Sequence, residues 1–370
     1  MDTNNNTPFP VINHIDDLLP HIANKPEILV RPGPLGSTVV CYQFQDNDTF
    51  DSAWAAECRG IVFDRDGKVA ARPLHKFFNV GERPGTQPDL ASAVRVMDKR
   101  DGSMIHTVWL DGQLLLKSKK VFKNAQTDMA WEWLRRPENA WVLDFCHNMA
   151  SQNDTCIFEL TSPSNRIVVG YPDTDMRLLH VRKNDTGEYY SGEALRMIAK
   201  GVYDVRLVDE YNGIADIGQT LADMKDAEGF VLQFANGDMV KAKCPWYLNL
   251  HRTLSFTRER DIAEAALEER LDDIKSALTT TGVDLTAVNR IESLVKTILL
   301  QTQQHITVVL NDDKDLDRKD FAIKHKGHPA FGMLMAAYQG KEPDYKDWFR
   351  KHVLKEAFSL EPVGAVVADD

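Results

Sequence analysis

What this chain lacks narrows what it can be. Its five cysteines, Cys41, Cys58, Cys146, Cys156 and Cys244, are scattered, odd in number and never paired as CxxC. That pattern argues against a disulfide framework or a cysteine zinc site and reads as reduced thiols in a cytosol. No apolar run approaches the length of a membrane span. The opening Met1-Asp2-Thr3-Asn4-Asn5-Asn6 has neither the basic start nor the apolar stretch of a secretory signal, so a cytoplasmic location is expected. No glycine-rich loop is followed by a catalytic-loop Asp and Asn, which disfavours a protein kinase. Internal repeats and long low-complexity segments are also missing.

Net positive charge is missing too: the formal balance over 370 residues is −11. The distribution is more informative than the sum. From Arg59 to Lys123 the chain holds 13 Lys and Arg against 7 Asp and Glu, a local +6 that leaves −17 for the rest. A basic segment inside an acidic protein suits a confined anion site and does not suit a surface that coats a duplex.

Two regions differ in pattern. Up to about residue 252, strand-like runs are folded back at Asp66-Gly67, Asp111-Gly112 and Asn236-Gly237. Each pair is a strong hairpin signal, because such turns need positive φ at their centre. Three hairpins imply antiparallel sheet, interrupted by helices expected over Gln126–Arg136 and Ser191–Lys200. Beyond Arg252 the pattern turns helical. Arg258–Leu278 is rich in Ala, Leu and charge, with no Gly or Pro. Leu285–Leu310 places Val288, Ile291, Leu294, Val295, Ile298 and Leu299 near a 3.6-residue period. Thr279-Thr280-Thr281-Gly282 separates these two stretches, and Ala330–Tyr338 and Tyr345–Phe358 follow. The expectation is an α+β chain with two domains: an antiparallel-sheet domain over 1–252 and a small all-α domain over 253–370.

Within this frame, Lys99 stands out in Asp98-Lys99-Arg100-Asp101-Gly102-Ser103, between two strand-like runs. A lysine there would be held still, which suits a nucleophile aimed at phosphorus. Nearby cations and desolvation would favour its neutral, attacking form. Candidate cations are Lys117 and Lys119 on the partner strand of the hairpin, and Lys241 and Lys243, two apart and so on one face of a strand. Taken singly, each pair also fits a solvated edge strand. Glu159 in Phe158-Glu159-Leu160 and Glu228 before Gly229-Phe230-Val231 place carboxylates in apolar runs. Such carboxylates hold Mg²⁺ or a ribose hydroxyl in a phosphate-transfer site, or form an edge salt bridge. Arg59, beside Gly60, and Lys76, before Phe77-Phe78, fit polyphosphate recognition by a guanidinium fork and a point charge. The plain alternative makes Phe77-Phe78 core and Lys76 its flank.

In order and spacing these elements resemble the covalent nucleotidyltransferases: ATP-dependent DNA ligases, RNA ligases and mRNA capping enzymes. The lysine element KxDG is Lys99-Arg100-Asp101-Gly102, followed by Phe158-Glu159-Leu160, Glu228-Gly229-Phe230-Val231 and Lys241-Ala242-Lys243. A narrower likeness is to the phage tRNA-repair ligases of the RNA ligase 1 family. It is carried by Glu57-Cys58-Arg59-Gly60, Lys76-Phe77-Phe78-Asn79, Leu116-Lys117-Ser118-Lys119, Pro163-Ser164-Asn165-Arg166-Ile167-Val168, Lys243-Cys244-Pro245-Trp246-Tyr247 and Ala337-Tyr338-Gln339-Gly340. Arg100 departs from that family, which often has an acidic residue there.

The resemblance implies an antiparallel-sheet nucleotidyltransferase (ATP-grasp-like ligase) domain followed by a helical one. It implies ATP as substrate and Mg²⁺, or Mn²⁺, as cofactor. Lys99 would take AMP from ATP, AMP would pass to an RNA 5′-phosphate, and a 3′-hydroxyl end would displace it. Asp101 and Gly102 belong to the lysine element. Glu159 would bind ribose and Glu228 would help place metal, with both counted as metal candidates. Lys241 and Lys243 would hold the α-phosphate, and Arg59, Lys76 and Lys119 the triphosphate, with Lys117 beside them at the nucleotide. The implied partner is RNA with 5′-phosphate and 3′-hydroxyl ends, such as a nicked tRNA anticodon loop, met by a monomer in a phage's host cytoplasm. DNA ligases and capping enzymes carry an OB-fold after the element matched by Lys241-Ala242-Lys243, whereas this chain turns helical there. A non-catalytic RNA-end-binding protein is the alternative from another class. It predicts no label transfer from ATP. Lys324-His325-Lys326-Gly327-His328 is one further basic spot, fit to touch a phosphate or simply solvated.

Overall fold

Three Asx-Gly pairs turn the chain where the sequence expects them. At Asp111-Gly112 both residues take positive φ, 50° and 73°, the signature of a tight hairpin turn. Gly67 and Gly237 take φ of 80° and 90° at the other two. The structure, a computed structural model, describes residues 9–45, 48–82, 88–165, 167–211, 216–254, 259–280 and 285–358.

The chain divides into two units, Met1–Leu248 and Asn249–Asp370. The first is mixed α+β and contains, in order, α1 (Ile15–Ile22), β1 (Ile28–Pro32), β2 (Thr38–Tyr42), α2 (Ala53–Glu57), β3 (Arg59–Phe63), β4 (Val69–Ala71), β5 (Phe78–Asn79), β6 (Arg95–Asp98), β7 (Ser103–Leu110) and β8 (Gln113–Lys117). Then come α3 (Ala125–Leu134), α4 (Ala140–Ser151), β9 (Asp154–Thr161), β10 (Asp175–Lys183), α5 (Gly192–Leu195), α6 (Ile217–Asp223), β11 (Gly229–Gln233) and β12 (Met239–Lys243), and α7 (Pro245–Leu254) starts here and runs past the unit's end at Leu248. The helix expected over Ser191–Lys200 is α5 continued by a wider π turn at Arg196–Lys200.

The strands form three four-stranded sheets, ordered β1-β2-β3-β4, β10-β9-β7-β8 and β5-β12-β11-β6. Every pairing is antiparallel except β12 with β5. In the second sheet β9 lies between β7 and β10, and alternation sorts its side chains. Phe158 and Leu160 enter a core with Phe145, Cys146 and Met149 of α4. Ile157 joins Leu74, Phe77 and Met239 on the other side, with Met104, Leu179 and Val231 packed around them. Glu159 shares that side with Ile157, facing the third sheet. Burying each aliphatic side chain contributes about 1.5–3 kcal/mol, so the register of β9 is strongly set and takes Glu159 with it.

The second unit is helical among its described residues: α8 (Glu259–Leu267), α9 (Leu271–Thr280), α10 (Thr286–Asp312), α11 (Arg318–His325), α12 (Phe331–Tyr338), α13 (Tyr345–His352) and α14 (Leu354–Ala357). The long stretch expected from Arg258 is broken, because Glu269 takes φ of 59° and ends α8; Arg258 itself lies outside the described residues. Part of the Thr279–Gly282 break also lies outside them. On α10 the buried stripe is Val288, Ile291, Val295, Leu299 and Ile306, whereas Leu294 stays exposed. No described helix is long and apolar enough to cross a membrane.

Candidate active site

The site is built where the third sheet meets the second. Lys99 follows β6, and its backbone N–H donates to the Gly229 carbonyl at 2.9 Å, tying the lysine loop to the start of β11. Gly229 has φ of 143°, and a Cβ there would lie 2.1 Å from the Ala242 carbonyl oxygen. Only glycine fits this approach of β11 to β12. Gly102 is required in the same way, since its Cβ would lie 2.3 Å from the Leu160 carbonyl oxygen on β9.

Glu228 bridges two lysines. Its Oε2 lies 2.7 Å from Lys99 Nζ and its Oε1 2.8 Å from Lys243 Nζ. Burial pushes the Glu228 carboxyl up, but Lys243 and Lys99 together hold it below the usual range. Glu159 is treated oppositely. Burial raises its carboxyl to about 7, with Lys99 opposing and Glu228 adding to the rise. Two carboxylates within reach of one lysine are thus driven apart in acidity, as happens where charge is managed for chemistry.

Asp101 does not face the cleft as a base. Its Oδ2 accepts the backbone N–H groups of Val168 and Val169 at 2.7 and 2.8 Å, and its Oδ1 accepts the Tyr247 hydroxyl at 2.9 Å. Its own N–H donates to the Tyr171 hydroxyl at 2.9 Å. Asp101 therefore pins the segment after β9 and the start of α7 to the lysine loop. Burial raises its carboxyl, and the nearby Glu228 adds to that. Arg100 lies over the Tyr171 ring and donates to Thr161 Oγ1 at 2.9 Å, so it faces the loop. Arg166 of the expected Pro163–Val168 element lies outside the described residues.

The remaining cations gather around aromatic rings. Arg59 and Lys241 approach the Phe77 ring, at 5.6 and 5.5 Å from its centroid. Lys76 is buried beside Phe50 and Phe78, and Lys119 lies 4.1 Å from the Tyr42 ring centroid. Phe77 is core, as the plain reading of that element has it, with Arg59 and Lys241 against its ring. Lys117 does not join the cleft. It is fully buried, and its amine donates to the carbonyls of Ser118 and Lys119 at 3.0 and 2.7 Å. Burial lowers it to about 8. Its contribution is to hold the backbone of Lys119, which passes where a Gly60 Cβ would lie 2.2 Å from the Lys119 carbonyl oxygen.

Sequence reasoning missed several contributors. Tyr171 and Tyr247 serve Asp101, and the buried pair Arg72 and Arg182 both grip Glu57. His106 lies wholly buried on β7, kept uncharged by burial first and then by Lys117 and Arg59. Of these, Glu57 and Tyr247 lie inside elements that carry the family likeness.

Among the described residues no three His, Cys, Asp or Glu side chains gather as a metal cage. The site instead offers two oxygen donors, Glu159 and Glu228. That set fits a hard cation such as Mg²⁺, which commonly takes one or two carboxylates and completes its shell with substrate phosphates and water.

A family model and curated relatives point to one family. The model of a family described as RNA ligase matches residues 57–247. A Thermovibrio ammonificans protein named as a proposed RNA ligase is 31% identical over 255 residues, which is 66% of this chain and 66% of that protein. RNA ligase 1 of bacteriophage TS2126 is 28% identical over 280 residues, 70% of this chain and 68% of the phage protein. The chain therefore spans about two thirds of the length of these two relatives. An archaeal ATP-dependent RNA ligase structure superposes with a TM-score of 0.46 at 15% identity, over 83% of this chain and 81% of its own.

Proposed function

We propose, for a chain that belongs to the RNA ligase family, the ATP-dependent sealing of RNA ends through an adenylate carried on Lys99. The observation that carries this reading is the Lys99–Glu228–Lys243 bridge, which sets a lysine amine beside a carboxylate and a second cation.

In the first step Lys99, ion-paired with Glu228 as an ammonium, loses one proton; its Nζ then bonds to the α-phosphorus of ATP, the bond to the pyrophosphate oxygen breaks, and a second proton leaves the nitrogen as the phosphoramidate forms. Glu228 Oε2, already accepting from that amine at 2.7 Å, is the adjacent proton acceptor. Lys241 and Lys243 neutralise the α-phosphate, and Arg59, Lys76 and Lys119 the departing pyrophosphate. Glu159 faces the ribose. When bound by Glu159 and Glu228, Mg²⁺ supplies charge neutralisation to the phosphates. AMP then passes to an RNA 5′-phosphate, and a 3′-hydroxyl displaces it as the phosphodiester forms. Repair of a broken tRNA by a monomer is the narrower form of this proposal, supported by the phage-type elements from Glu57 to Tyr247 and at Ala337–Gly340.

The test is incubation with α-labelled ATP and Mg²⁺. Wild type should gain an acid-labile label and Lys99→Ala none. Equal labelling of both would remove Lys99 as the nucleophile, and no labelling of wild type would favour a non-catalytic RNA-end binder.

A further inference from the structure

Glu57, Arg72 and Arg182 form a buried ionic triad beside the segments that carry Arg59 and Lys76. Glu57, at the end of α2, is 2% exposed, and Arg72 and Arg182 are 0% exposed. Glu57 Oε2 accepts from Arg72 Nε at 3.0 Å and from Arg182 Nη1 at 2.8 Å, and Oε1 accepts from Arg182 Nη2 at 2.7 Å. The remaining donors go to backbone. Arg72 reaches the carbonyls of Pro10 and Asp185 at 2.7 and 3.1 Å, and Arg182 those of Gly187 and Pro73 at 2.7 and 2.6 Å. Gly187 leaves room for this, since a Cβ there would lie 2.5 Å from Arg72 Cζ.

Burying three charges to gain stability makes poor sense, because well-packed apolar residues commonly do as well. Geometry supplies a better reason. Arg59 begins β3 two residues after Glu57, and Lys76 follows the Arg72-Pro73 segment, which holds one of the two arginines and whose Pro73 carbonyl accepts from the other, Arg182. The two carriers are also laced together: the Lys76 N–H donates to the Ala56 carbonyl at 2.7 Å, and Arg59 Nη1 to the His75 carbonyl at 3.4 Å. We propose that Glu57, acting through Arg72 and Arg182, is the positioning residue that sets Arg59 and Lys76 at the spacing a nucleoside triphosphate requires. This deepens the RNA ligase reading and rests on it.

Two roles for Glu57 predict opposite signs. The triad carries a net charge of +1, and Glu57→Gln raises it to +2. If the triad acted only through its field, ATP would bind more tightly to the variant. If it acts through position, ATP binds more weakly despite the added charge. The full-length protein is assayed in two ways: ATP dependence of Lys99 adenylylation, and sealing of chemically pre-adenylylated RNA with no ATP present. For Glu57→Gln we expect the KM for ATP to rise about tenfold or more, as small misplacements of binding groups do. Sealing of pre-adenylylated RNA should stay within about twofold. A merely structural triad would lower both activities together.

Unchanged or tighter ATP dependence in Glu57→Gln, with wild type labelling normally, overturns the inference alone. Wild type that takes no label overturns the ligase reading and this inference with it. Should Glu57→Gln fail to fold, Arg182→Lys, which keeps the charge but loses the fork, carries the same comparison. If that variant also fails to fold, the triad is a stability element and the proposal is lost.

Discussion

Lys99 Nζ and Glu228 Oε2 lie 2.7 Å apart, and the same carboxylate holds Lys243 on its other oxygen. Lys99 is therefore ion-paired and anchored by the protein alone. Removing the carboxylate charge by Glu228→Gln breaks the ion pair to Lys243, whose side chain is 4% exposed. We expect a stability loss of about 3–5 kcal/mol in urea titration, the usual result of breaking a buried pair. Labelling from α-labelled ATP should fall by about 100-fold or more. Unchanged unfolding and labelling would contradict the bridge.

Glu159 makes a pH prediction. Its carboxyl is raised from 4.5 to about 7, chiefly by burial. In this window the folded chain holds a proton that the unfolded chain has lost, so stability from this group is complete below pH 4.5 and is lost as pH rises through about 7. Glu159→Gln removes the titration. The variant should lose less stability than wild type between those limits, by a difference on the order of 3 kcal/mol. Parallel pH profiles for the two proteins would show that Glu159 ionises normally.

The glycines predict a contrast. Gly229→Ala forces a Cβ to 2.1 Å from a backbone oxygen at φ of 143° and should cost about 3 kcal/mol or more, with loss of labelling. Gly112→Ala also meets positive φ, 73°, but open space, and should cost only about 1–2 kcal/mol with labelling intact. Thermal melts and the labelling assay on both variants provide the comparison.

Tyr247 donates its hydroxyl to Asp101 Oδ1 at 2.9 Å in a buried setting. Tyr247→Phe should lower stability by about 1.5–3 kcal/mol, the range for a hydrogen bond to a charged group. It should also push the Asp101 carboxyl further up, because a donor that holds it down is gone. Carboxyl titration by NMR reads that shift directly, and an unmoved Asp101 would remove Tyr247 as its partner.

Much of the architecture was legible because it is local. Asp66-Gly67, Asp111-Gly112 and Asn236-Gly237 mark hairpins by their tolerance of positive φ, whatever the rest of the chain does. The apolar period of α10 needs only neighbours three and four residues away. Weaker local signals went unread: α1, α4, α6 and α11 had no expectation, and the break at Glu269 was invisible in a run without Gly or Pro.

The residue types of the site, and their order along the chain, are properties of the sequence by itself. Lys99, Asp101, Glu159, Glu228, Lys241 and Lys243 can be named without coordinates. Their division of labour was settled only by tertiary structure. Asp101 is spent on backbone N–H groups, Lys117 on carbonyls, and Glu57 on two arginines from distant segments. Glu228 and Glu159 differ in acidity because one meets two ammoniums and the other meets mostly burial. A charge acts according to its distance from other charges and from water, and neither distance exists until the segments pack.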